Sequence, residues 1–156
     1  MLLIVALISV MDAYSQDSQK LKDIDSVVYG IKNSGFPATH DSITQNYPGL
    51  GLFMTSYLTK VMNSVEIKCY VNKVHSRSIG NGLTREMTTF SSFYFDHHKL
   101  IKVEESGVNK NNEDIHVAWY YADSKPIYNT APSGKSQDRA EFLLVLADII
   151  LKQSEK

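Results

Sequence analysis

Acidic and imidazole side chains are adjacent at Asp96, His97 and His98, and both are residue types that bind zinc. Zinc needs three or four ligands that converge on one point, and the other histidines are scattered along the chain. Only His40, which stands beside Asp41, could join such a site. We therefore expect a solvated hairpin turn at residues 96–98, and neither a metal site nor another cofactor.

Other candidates for catalysis or phosphate binding are incomplete. Gly134, Lys135 and Ser136 match the end of a phosphate-binding loop, but Asn129 stands where the full pattern needs a glycine. Cys69 is the only cysteine, and the pattern of its neighbours places it on the buried side of a strand. The chain also has no Gly-x-Ser-x-Gly elbow. These observations favour a non-catalytic protein and predict no catalytic residue.

Aromatic side chains provide the main functional hypothesis. Strand alternation places an apolar set on the inner face of a sheet, namely Val65, Ile67, Cys69, Leu83, Met87, Phe93, Trp119 and Tyr121. The same alternation places a second aromatic set on the opposite face, namely Tyr70, Phe90, Tyr94, Tyr120 and Tyr128. Tyrosines with polar neighbours make good binding surfaces, because they contribute area at little entropic cost and can still form hydrogen bonds. We predict that these five residues bind a partner, unless residues 36–51 or another chain cover them.

The elements that would carry these residues indicate an α+β fold. Apolar residues recur at helical spacing from Ser18 to Ser34, whereas residues 36–51 are rich in glycine and proline and predict a long loop. Leu52 to Met62 fits either a second short helix or a strand. The sequence therefore predicts one or two N-terminal helices, an antiparallel meander of about five strands, and a C-terminal helix from about Ser136 to Gln153. That helix is apolar around most of its circumference, so we expect it to pack deeply on one face of the sheet.

The five predicted strands begin near residues 65, 83, 100, 115 and 127. Gly80, Asn81 and Gly82 predict a tight turn between the first two strands. Residues 93–101 and 119–127 repeat one pattern, in which aromatic residues precede an aspartate, a turn, a lysine and an aliphatic residue. The repeat predicts two similar hairpins. Residues 107–114, which are rich in asparagine, predict a loop between them.

The N-terminus predicts export. Leu2 to Met11 is an almost unbroken apolar run, and small residues then precede Gln16 in the manner of a signal-peptide cleavage site. We predict a signal peptide over residues 1–15 and a single domain over residues 16–156, located in a periplasm, at a cell surface or in the medium. After cleavage, no apolar run is long enough to span a membrane.

Composition limits the partners. The chain has 16 basic and 17 acidic residues, so its net charge does not favour nucleic acid. The first hypothesis is an exported, non-catalytic module that binds a protein, a peptide or a glycan through its aromatic face. The alternative is a small-ligand or hydrolase-type pocket between the sheet and the last helix, with polar groups from Trp119, Tyr121 or His116. A third possibility is a homodimer formed through the aromatic face.

Overall fold

A computed structural model describes the backbone of residues 2–80, 83–108, 113–132 and 136–154; side chains are described from residue 17 onward and, in the last helix, from residue 137. The chain divides into two units, Met1–Ser34 and Gly35–Lys156, which are described separately.

The first unit is a single helix, α1, which spans Leu2–Lys32. Ile24, Val28 and Ile31 recur at intervals of four and three residues, so they share one face of the helix. The chain leaves the helix through Gly35, whose φ of 66° lies in the left-handed region. The helix predicted from Ser18 is confirmed. The signal peptide over residues 1–15 stays a prediction.

The second unit is an antiparallel meander in which seven strands lie side by side in chain order. The strands are β1 (Ala38–Tyr47), β2 (Leu52–Met62), β3 (Ile67–Gly80), β4 (Leu83–Asp96), β5 (Lys99–Val108), β6 (Asp114–Ala122) and β7 (Lys125–Asn129). The α+β class and the meander are confirmed. Among the described ranges, no helix is both long enough and apolar enough to cross a bilayer.

The strand count exceeds the expected five because residues 38–62 form two further strands. The segment predicted as a loop contains β1, and the ambiguous segment Leu52–Met62 is the strand β2 rather than a second helix. β1 is exposed along its whole length, so it lacks the apolar alternation that identifies a half-buried strand. A 3₁₀ turn at Pro48–Leu50 and Gly51, which has a φ of 59°, connect the two strands.

The two hairpins predicted from the sequence repeat have the same geometry. β4 and β5 are joined by His97 and His98, and β6 and β7 by Asp123 and Ser124; all four residues have positive φ. Each hairpin also contains a bulge three residues after its turn, at Ile101 and at Ile127. The turn predicted at residues 80–82, the loop predicted at 107–114 and the segment 134–136 each include residues outside the described ranges.

The core lies between one face of the sheet and the C-terminal helix, α2 (Ser136–Ser154). We call this side of the sheet the helix face, and the other side the opposite face. The residues that fill the core are Ile67, Phe93, Phe95, Leu100, Val103, Trp119 and Tyr121 from the sheet, with Ala140, Leu143, Ala147 and Ile150 from α2. Packing of α2 on one sheet face is confirmed. Its burial is less complete than expected, because Phe142, Val145 and Ile149 remain about half exposed.

Candidate functional site

Register decides which of the five predicted aromatics share a face. Directly opposed residues of antiparallel strands point to the same side of a sheet. One cross-strand row contains Cys69, Tyr94, Lys102, Tyr120 and Tyr128. Phe90 lies four residues before Tyr94 on the same strand, so it shares that face. Because Phe93 and Phe95 belong to the core on the helix face, this row belongs to the opposite face.

Tyr70 is not on this face, and its predicted placement was wrong. It is opposed to Phe93, packs against the core, and its ring centroid lies 6.4 Å from that of Phe93. The cause is a bulge at the start of β3: Met62 pairs with Ile67, while Val61 pairs with Cys69. The extra residue reverses the alternation, so Tyr70 and Cys69 exchange faces relative to the prediction.

Tyr94 and Tyr120 lie on the predicted face but are buried, with 4% and 8% of their surface exposed. The Tyr94 hydroxyl donates to Oε2 of Glu104 at 3.0 Å, and burial raises the pKa of this phenol. Lys102 Nζ lies 2.9 Å from Glu104 and 4.8 Å from the centre of the Tyr120 ring. These two tyrosines therefore belong to a buried polar network in this structure, whereas Phe90 and Tyr128 remain 39% and 49% exposed.

A second row on the opposite face spans five strands, and four of its five residues are exposed to solvent. It runs from β2 to β6 through Tyr57, Lys73, Phe90, Ser106 and His116, and we call these residues the aromatic row. Lys73 Nζ lies 6.0 Å from the centre of the Tyr57 ring and 5.4 Å from that of Phe90. Tyr57 was missed because its strand was ambiguous in the sequence, yet at 49% it is more exposed than Phe90.

A depression of about 420 Å³ lies at the His116 end of the aromatic row. Its lining includes Phe90, Ser92, Glu104, Ser106 and His116. The depression therefore offers an aromatic ring, hydroxyl groups, a carboxylate and an imidazole side by side. Such a mixture can pack against the apolar surface of a ligand and form hydrogen bonds with its polar groups.

The acidic and imidazole cluster suspected of metal binding is held together by a lysine. Possible ligand atoms of Glu66, Asp96 and His97 lie within 4.8 Å of one another. Lys68 Nζ, however, lies 2.5 Å from Glu66 and 3.2 Å from Asp96, where it supplies the neutralising charge. Burial would raise the pKa of Glu66, but hydrogen bonds from Lys68 and from the backbone N–H of His98 outweigh burial and lower it. This cluster anchors the β4–β5 turn to the start of β3.

The residues proposed for a pocket between the sheet and α2 do not converge. Trp119 Nε1 donates to Glu105 at 2.9 Å, the Tyr121 hydroxyl donates to the carbonyl of Ala140 at 3.1 Å, and His116 lies on the opposite face. A cleft of about 370 Å³ exists instead beside the C-terminal end of α2. Its lining includes Asp41, Leu58, Lys60, Tyr70, Ile150 and Gln153.

Comparisons with protein-family models, with curated proteins and with solved structures find no match to this chain.

Proposed function

We propose that this protein is an exported, non-catalytic binding module whose partner contacts the aromatic row. The observation that carries the proposal is the exposure of Tyr57 and Phe90 on the same cross-strand row, on either side of Lys73. Exposed aromatics that line up on a sheet face usually serve a partner or ligand, because leaving them in water is unfavourable. The predicted signal peptide over residues 1–15 supports export.

The dimensions of the aromatic row suit an elongated partner. Strands lie about 4.8 Å apart, so the two rings flank Lys73 at a separation of about 10 Å, and the whole row extends over about 19 Å. The rings offer flat apolar surfaces, Lys73 offers a positive charge, and the depression offers hydroxyl groups. A protein segment, a peptide or a glycan chain that carries a negatively charged group would match this order of contacts.

The five predicted aromatic residues therefore have different roles. Phe90 and Tyr128 are available for contact, whereas Tyr94 and Tyr120 lie beside the aromatic row on the same face and would support it through Glu104 and Lys102. Tyr70, on the helix face, has no part in this surface.

A matched pair of variants on β4 tests the proposal. Phe90→Ala truncates an exposed ring on the opposite face, and Met87→Ala truncates a side chain of similar exposure, 46%, on the helix face of the same strand. Each variant is immobilised beside the parent and exposed to an extracellular or periplasmic fraction, a peptide library and a glycan array. We expect a ligand that the parent and Met87→Ala retain and Phe90→Ala loses. Equal retention by both variants would contradict a role for the aromatic row.

A second candidate function is small-ligand binding in the cleft beside α2. The observation in its favour is that the cleft combines Lys60, Asp41 and the Tyr70 hydroxyl with apolar side chains in its lining, Leu58 and Ile150. Burial and the nearby Asp41 carboxylate raise the pKa of Tyr70, so its hydroxyl stays protonated and able to donate. A small molecule with both acidic and basic groups would fit this set. Stabilisation of the parent by such a compound, absent in Lys60→Met, would support this function.

A further inference from the structure

The two edges of the sheet differ in how well they resist pairing with another strand. β7 is only five residues long, starts with Lys125 and Pro126, and contains the bulge at Ile127. Short length, lysine, proline and bulges are features by which natural sheets protect their edges. β7 is therefore a guarded edge.

β1, at the other edge, has none of these features. It is ten residues long and contains neither lysine nor proline, and its pairing with β2 runs from Ala38 to Tyr47 without a register shift. All ten of its residues are exposed, and Asp41 is its only acidic residue. An exposed, regular edge strand of this length is a template for another strand.

The backbone groups that face the open edge can be assigned from the hydrogen bonds on the other side. In an antiparallel strand, alternate residues direct both their N–H and C=O groups to the same side. The carbonyl of Pro37 accepts from the N–H of Met62 in β2 at 3.2 Å, so odd-numbered residues face β2. The N–H of Ser42 instead donates to Oδ1 of Asp41 at 2.7 Å. Even-numbered residues of β1 therefore face the open edge.

We propose that β1 pairs antiparallel with β1 of a second copy of this chain, about a two-fold axis at Ser42. A second copy fits because the protein has one open and one guarded edge, so the assembly closes at two copies instead of growing into a fibre. No like charges are opposed in this register, because Asp41 faces Ile43 of the other copy. The five edge-facing residues of each copy would exchange about ten hydrogen bonds, a number typical of a specific interface.

The pairing would also extend the proposed binding surface. Ser42 is the cross-strand neighbour of Tyr57, the first residue of the aromatic row. Two copies joined at Ser42 would therefore place their aromatic rows end to end on one face of a continuous sheet, and a long or repetitive partner could engage both. This consequence rests on the proposed function, whereas the pairing itself does not.

Light scattering of the full chain across a range of concentrations tests the pairing. We expect a dimeric mass for the parent and a monomeric mass for Ser42→Lys/Thr44→Lys, in which lysines face each other across the two-fold axis. Asp41→Thr removes the carboxylate that accepts a hydrogen bond from the Ser42 N–H. This N–H is then free to bond across the two-fold axis, so the dissociation constant of the dimer should be several-fold lower. Thr84→Lys/Gln137→Lys adds the same charge at exposed positions away from both edges and should remain dimeric.

Amide exchange of the unmodified chain provides a readout that needs no substitution. The edge amides of His40 and Thr44 should become better protected as the concentration rises, while amides of β7 should not change. A parent that stays monomeric at every concentration would overturn the pairing, even if it captures a foreign peptide. A folded Ser42→Lys/Thr44→Lys variant that dimerises as well as the parent would also overturn the pairing. If that variant does not fold, the parent decides: β1 amides whose protection does not rise with concentration would overturn the pairing.

Discussion

Glu105 connects its own strand, β5, to three other elements of the second unit. Its removal should therefore lower the free energy of unfolding of that unit measurably. The carboxylate, on β5, accepts a hydrogen bond from Trp119 Nε1 of β6 at 2.9 Å. It also accepts from Arg139 of α2, whose Nε lies 3.3 Å away and whose Nη2 makes a closer ion pair. The Ser91 hydroxyl, on β4, donates to it at 3.4 Å. Glu105 therefore connects the sheet to α2 on the helix face.

The expected cost of Glu105→Ala follows from what each partner loses. The Trp119 side chain is only 4% exposed, so its indole N–H would be left without an acceptor at a cost of about 1–3 kcal/mol. The Arg139 side chain is 41% exposed, so solvent screens its ion pair and the loss adds at most about 1 kcal/mol. Together, the free energy of unfolding should fall by about 1–4 kcal/mol, which lowers Tm by roughly 3–15 °C for a domain of this size.

Urea denaturation followed by tryptophan fluorescence measures this effect, because Trp119 is the only tryptophan. Glu86→Ala, at an exposed position on β4, is the matched control and should cost less than about 0.5 kcal/mol. Arg139→Met should cost less than Glu105→Ala, because it leaves the bond to Trp119 intact. If Glu105→Ala unfolds at the same urea concentration as Glu86→Ala, the contacts of Glu105 do not stabilise the helix on the sheet.

Three further predictions concern the core and the turns. Tyr121→Phe removes the hydrogen bond to Ala140 and should lower the free energy of unfolding by about 1 kcal/mol, measured by urea denaturation. Ser124→Gly should raise Tm, because glycine accepts a φ of 59° at about 1 kcal/mol less strain; an unchanged or lower Tm would contradict this. Since the pKa of Glu66 is lowered from 4.5, its ionised form stabilises the fold above that pH, and the stabilisation is lost as pH falls through the folded-state pKa. The stability difference between the parent and Glu66→Gln should therefore shrink below about pH 4.5, and a constant difference from pH 7 to pH 3 would count against it.

Helices and strands that bury one face against a core were the easiest elements to predict from the sequence. Alternation identified β3 to β6, and helical spacing identified α1 and α2, because burial against a core imposes a period on the apolar residues. β1 lacks such a period, since it lies at an edge with both faces in contact with water. Its glycine- and proline-rich surroundings, at Pro37 and at Pro48 to Gly51, turned out to delimit the strand rather than to replace it.

The face assignment failed directly after a bulge that the alternation in the sequence did not reveal. Tyr94, Tyr120, Tyr128 and Phe90 lie on the face predicted for them, whereas the bulge before Cys69 moved Tyr70 to the helix face. Whether a correctly placed residue is exposed was harder to predict, because alternation gives the direction of a side chain and not what lies above it. Tyr94 and Tyr120 point as predicted and are nevertheless buried.

The repeated hairpins explain why Tyr94 and Tyr120 share this position. In each hairpin this tyrosine stands two residues before the end of the first strand, and its cross-strand row lies on the opposite face. Phe95 and Tyr121, the next residues, are then both directed into the core, where each is fully buried. A repeat of sequence thus becomes a repeat of burial next to the two turns, whereas Phe90 and Tyr128 of the same hairpins remain exposed. Farther from the first of these turns, Tyr57 and Phe90 flank Lys73, and Ser42 brings the aromatic row to the open edge at β1.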